Sequence, residues 1–198
     1  KVQSKILAAN SDLRQISLAI GMYTRDNGGK HPPTRLNCGY GWEDHTLPPE
    51  LARYDYLPKP EYKTGLSVGM QDQFNKKNTY KYWSVGEHYQ NGRPMFGPRF
   101  KKPGQPLPPD LGNPLWIPDR YPNNDPKDGP EKGRLYRDPA KSPVTWVIFS
   151  NGPDFQWWQM EKNRYPVTRV TWYTPEKKSG IITRVHLKKG TEIGSFRD

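Results

Sequence analysis

Cysteine occurs once in the 198 residues, as Cys38, so no internal disulfide can staple the fold and the redox compartment stays open. Hydrophobic residues are also scarce, at 32%, which limits the chain to a small core. No window approaches the ~18 consecutive apolar residues of a membrane-spanning helix, and no basic head followed by an apolar body marks a signal peptide. Gly-x-Ser-x-Gly, a Walker loop, His-Glu-x-x-His and paired cysteines are all missing, so the usual nucleophile, phosphate cradle and zinc sites have no sequence support. Acidic residues are in the minority. Lys and Arg number 31 against 20 Asp and Glu, a net charge of +11 that favours anionic neighbours such as nucleic acid, lipid headgroups or wall polymers. The basic residues are dispersed, with Lys76-Lys77, Arg99 to Lys102, Lys177-Lys178 and Lys188-Lys189 as the densest pieces, and a solvated basic surface accounts for them.

What the chain does have is aromatic bulk and turn residues. Seven Trp, twelve Tyr and six Phe supply apolar area to a short core, while 22 Pro and 18 Gly predict many turns and irregular connections. One long periodic signal stands out at the beginning. Val2, Ile6, Ala9, Leu13, Ile16, Ile20 and Tyr23 recur in steps of three and four, which places them on one stripe of an α-helix. Lys5, Asn10, Asp12, Arg14, Gln15 and Ser17 fall elsewhere, so the helix is amphipathic. It ends at Asn27-Gly28-Gly29, and Pro32-Pro33 carries the chain away in an extended form. At 1.5 Å per residue such a helix spans roughly 38 Å, a spine for a small domain.

The remainder predicts a short helix and several strands. Pro48-Pro49 before Glu50 suits a helix start, with Leu51, Tyr54 and Leu57 on one face. Residues 79–85 (TYKYWSV) and 143–150 (PVTWVIFS) have the β-branched and aromatic content of strands, the second ending at an Asn-Gly turn and belonging in the middle of the sheet. Residues 169–174 and 180–187 predict a hairpin or meander. Between residues 92 and 143 lie 13 of the 22 prolines, too closely spaced for helix or central strand, and this reads as a long proline-rich insertion. The expected class is α+β: one domain over 1–198, with a helical stem at 1–27, a loop, short helix and first strand at 28–91, the insertion at 92–143, and C-terminal strands at 144–198.

The run DLRQISLAIGMYTRDNGGKHPP resembles the stem of type IV pilin-like proteins, most closely the major pseudopilin of type II secretion. LPPELARYDYLPKPEY, NTYKYW and WVIFSNGPD fall in that family's order, and the turn Ser150-Asn151-Gly152-Pro153-Asp154 is the most specific of these pieces. The resemblance implies a pilin-like fold, with the long N-terminal helix packed on a small antiparallel sheet. It implies a non-enzymatic structural subunit of a pseudopilus or type IV pilus-like filament, assembling with itself and with other pseudopilins or pilins through Val2, Ile6, Ala9, Leu13, Ile16, Ile20 and Tyr23. An inner-membrane anchor from a segment upstream of Lys1, with the head in the periplasm or outside the cell, is a further expectation of the family. So is a calcium ion near the C-terminus, although Glu161, Glu176, Glu192 and Asp198 stand among many Lys and Arg and form no cluster of carboxylates in sequence.

Other chemistry has weaker support. His31, Cys38 and His45 are spaced by seven residues in a glycine-containing loop but match no common zinc pattern. Trp157-Trp158 offers an aromatic platform, yet adjacent residues of an extended segment point to opposite sides, which gives at least one of them to the core. The competing function class is a secreted or periplasmic module that binds nucleic acid or an anionic wall polymer, suggested by basic charge interleaved with aromatics.

Overall fold

A computed structural model describes residues 1–32, 47–84, 89–90, 93–94, 143–154 and 172–196. The first element is one unbroken helix, α1 (Val2–Asp26). Asn27 closes it: its backbone N–H and its side-chain amide both donate to the Tyr23 carbonyl, at 2.9 and 2.8 Å. Gly28 and Gly29 then adopt φ of 63° and 83°, left-handed geometry that glycine enters without steric cost.

A single helical turn, α2 (Glu50–Arg53), precedes four strands of one antiparallel sheet and a two-stranded ribbon. The strands are β1 (Lys81–Ser84), β2 (Tyr89–Gln90), β3 (Arg93–Pro94), β4 (Val144–Ser150), β5 (Ile182–Leu187) and β6 (Glu192–Gly194). The sheet order is β1-β4-β5-β6, so the Val-Thr-Trp-Val-Ile-Phe-Ser strand is interior, as its composition predicts. Among the described residues, β2 and β3 pair only with each other.

Ile6, Ala9, Leu13, Ile16, Ala19, Ile20 and Tyr23 of α1 share one buried cluster with Tyr80, Tyr82, Trp146, Ile148 and Ile182 of the sheet side. The helix is therefore packed on the sheet by its apolar stripe, which makes the class α+β. Leu47, Leu51, Leu57, Val68 and Met70 close the cluster from the side. Phe74 packs against it near the start of the helix, where the Lys5 ammonium stands 6.0 Å from the ring.

Three expectations change. Val2 lies on the predicted stripe but is 55% exposed, because the packed length of α1 starts at Ile6. Tyr54 is exposed although it shares a helical face with Leu51, since Asp55 takes φ 60° and reverses the chain before Leu57 turns inward. Of the hairpin or meander expected over 169–174 and 180–187, residues 169–171 lie outside the described residues; β5 pairs antiparallel with β4 and β6, and Trp172 meets Ile181 through an isolated parallel bridge. β6 escaped the sequence pattern because Glu-Ile-Gly is too short to show alternation; its signal was the Lys188-Lys189-Gly190 turn, with Gly190 at φ 84°. Most of the proline-rich segment falls outside the described residues.

Candidate functional site

The surface of α1 turned away from the sheet carries Leu7, Leu18 and Met22, exposed at 58, 69 and 47%. Eleven residues make three helical turns and four make one, so all three lie on the side opposite the buried stripe, Leu18 and Met22 adjacent and Leu7 three turns away beyond the exposed Ser11 and Arg14. The predicted assembly residues divide accordingly. Ile6, Ala9, Leu13, Ile16, Ile20 and Tyr23 are consumed by the chain's own core, and of that set only Val2 is on the surface. The periodic stripe reported the intramolecular interface; Leu7, Leu18 and Met22 were missed because they break its period.

Beside Leu18 and Met22 lies an open pocket of about 400 Å³, lined also by Ser17, Gly21, Thr24, Arg25, His31, Trp146, His186 and Glu192. The helix exit delivers His31, whose Nδ1 is 3.0 Å from Thr24 Oγ1. His186 comes from β5; its Nδ1 is 2.6 Å from Thr145 Oγ1, and its ring stacks on Trp146 at 5.1 Å, where the two residues are register partners. Both imidazoles are held below their ordinary range, first by burial, and for His31 also by the nearby charge of His186. Glu192 of β6 accepts from Arg184 Nε at 2.9 Å and from the Ser17 hydroxyl, which ties the helix to the far edge of the sheet. Its carboxylate is thus engaged by a cation and a hydroxyl. Cys38, His45, Glu161 and Asp198 lie outside the described residues, as do Trp157 and Trp158. Among the described residues, no group of three or more His, Cys, Asp or Glu has metal-holding geometry.

A second constellation surrounds the turn after β4. Ser150 Oγ donates to Asp72 Oδ1 at 2.6 Å and Gly152 N–H donates back to Ser150 Oγ at 3.3 Å. Gly152 has φ 71°, and a Cβ there would stand 1.8 Å from the Gly180 carbonyl oxygen. Asp154 follows at φ 52° and is exposed, a turn residue. The Ser-Asn-Gly-Pro-Asp motif is therefore a buried corner that docks two distant loops onto the end of β4.

A second pocket, of about 330 Å³, is lined by Asp12, Gln15, Gly69, Gln71, Asp72, Lys76 and others. There Asp12 Oδ2 accepts from Tyr80 Oη at 2.5 Å and from Gln73 Nε2 at 3.1 Å. Burial first, then that bond, pushes the Tyr80 phenol upward and keeps it a proton donor to Asp12.

No helix among the described residues is long and apolar enough to cross a membrane. Compared with protein-family models, curated proteins and solved structures, the chain matches none.

Proposed function

We propose that this chain is a non-enzymatic structural subunit of a pseudopilus or type IV pilus-like filament, assembling through α1. The observation that carries the reading is the exposed pair Leu18 and Met22, one turn apart on a helix whose opposite side is already filled by its own sheet, with Leu7 exposed on the same side three turns earlier. Water-exposed leucine and methionine at helical spacing are what a second helix covers in a bundle. The resemblance of NGGKHPP and SNGPD to pilin-like subunits points the same way. On this reading the stripe Ile6 to Tyr23 holds the head to its stem, and the exposed pair meets neighbouring subunits. Anchorage in the inner membrane by an upstream segment, with the head in the periplasm or beyond, belongs to the same proposal.

The test replaces Leu18 and Met22 by Glu in the full-length anchored protein and follows filament formation by electron microscopy. The double variant keeps the melting temperature of its soluble part, because both side chains are exposed, and stops assembling. Filaments formed as before would sink the reading. The polyanion-binding reading is separated by titrating the soluble chain with single- and double-stranded DNA at low and at physiological salt. Phosphate contacts lose affinity steeply as salt rises, so tight, salt-sensitive binding together with failure to enter filaments favours that module instead.

A further inference from the structure

Leu18, Gly21, Met22 and Arg25 stand at i, i+3, i+4 and i+7 of α1, the four positions that frame a hole when one helix receives a side chain of another. All four are exposed, and the same four line the open pocket of about 400 Å³ beside the helix. Gly21 leaves the frame hollow, since a Cβ added there meets nothing within 4 Å. Trp146, His186 and Glu192 wall the hollow on its other side, which makes it a socket between the helix and the sheet.

Leu7 has the complementary shape. It lies on the same side of α1, three turns before Leu18, and is exposed. Its helical neighbours Gln3, Ser4, Asn10 and Ser11 carry no charge, so a second helix approaches it without electrostatic cost and nothing beside it repels Arg25. Within one chain knob and socket cannot meet: positions 7 and 21 of one unbroken helix are roughly 21 Å apart. A second copy of this chain supplies the missing partner for each.

Charge decides how the two copies run. In an antiparallel pair both knobs seat at once, but the midpoint between positions 7 and 21 is Arg14, so the two exposed Arg14 residues come face to face. Like charges set against one another oppose that arrangement. In a parallel pair shifted by roughly 21 Å, Arg14 of the second copy passes beyond Asp26, the last residue of the first helix. The helix dipole is negative there, Asp26 adds a carboxylate, and Arg25 is already paired with it at 3.2 Å.

We propose that α1 joins copies of this chain head to tail, Leu7 of one seated in the Leu18, Gly21, Met22 and Arg25 socket of the next. Knob and socket lie at different heights on one side, so the contact is heterologous and every added copy leaves one of each free. The inference rests on the reading of α1 as an assembly surface and names the contact which that surface makes.

Cysteine pairs test it in the full-length protein. With Cys38→Ser as background, Leu7→Cys and Gly21→Cys are introduced, and cells are treated with a short thiol-to-thiol cross-linker. The double variant gives a ladder of dimers, trimers and higher species; the two single variants give dimers when expressed together and nothing when expressed alone. A double variant that stops at dimers means a closed antiparallel pair and overturns the proposal. So does the absence of cross-linked species, or linkage of the Gly21→Cys chain to a different protein. Gly21→Leu fills the socket: it leaves the melting temperature at or above that of wild type and abolishes the ladder of a Leu7→Cys/Met22→Cys chain. An undiminished ladder overturns the socket. Electron microscopy of the same cells keeps the two readings apart. Filaments without the 7–21 link overturn this contact and leave the filament reading standing, whereas a ladder without filaments keeps the contact and removes the filament reading.

Discussion

Ser150 Oγ and Asp72 Oδ1 lie 2.6 Å apart, 78 residues from each other in the chain and with no exposed surface on either residue. This bond makes the end of the central strand a fixed corner, because Asp72 also accepts from the backbone of Phe74 and so pins its own loop. Ser150→Ala strips the carboxyl group of a donor it cannot replace from water. The expected loss is about 1–3 kcal/mol, read from urea unfolding at neutral pH. An unchanged midpoint would mean that the corner is held by other contacts.

Glycines 152 and 21 give opposite expectations. Gly152→Ala forces a Cβ into the Gly180 carbonyl at a positive φ, so it destabilises the fold well beyond an ordinary Gly→Ala change. Gly21 is an interior position of α1, and a methyl group added there would meet nothing within 4 Å. Gly21→Ala therefore stabilises by about 0.5–1 kcal/mol. Thermal unfolding of the two variants, shifted in opposite directions, checks both.

Ile20 and Val2 sit on the same periodic stripe but do not share a fate. Ile20 is fully buried in the main cluster, and Ile20→Ala should cost about 2–5 kcal/mol. Val2→Ala, at an exposed site, stays within about 0.5 kcal/mol of wild type. Comparable losses in denaturant titrations would place the packed part of α1 further upstream than Ile6.

The two imidazoles of the pocket beside α1 make stability depend on pH. His31 and His186 are both depressed below 6.5 in the folded chain, so the unfolded chain binds more protons near that pH. Their contribution is present above 6.5 and is lost as pH falls through that value toward the folded ones. Arg25 lines the same pocket and Arg184 reaches Glu192 beside it; both oppose added positive charge, while Glu192 favours it on His186. Asp72 works in the other direction: its raised carboxyl takes up protons more readily in the folded state, so it adds stability as pH falls. A His31→Gln/His186→Gln variant should lose less stability than wild type between about pH 7.5 and about pH 5. Parallel curves would place the pH dependence elsewhere.

Residue order alone determined the helix and the central strand. The three- and four-residue spacing of Ile6 through Tyr23 survives any tertiary arrangement that buries one helical side, and Asn27-Gly28-Gly29 ends the helix through local bonds to Tyr23 and Thr24. Val144–Ser150 is apolar on both faces, a mark of an interior strand. Tertiary structure decided the rest. Where the helix stops being covered depends on what lies beneath it, so Val2 and Ile6 have the same pattern and different exposure. Leu7, Leu18 and Met22 look like noise until the sheet shows which side of α1 is left over. Asp72 and Ser150 carry no common sequence signature, because a closed loop brings them together from segments 78 residues apart. Local periodicity encodes which side of an element is buried; only the packed chain sets which distant polar groups are buried with it.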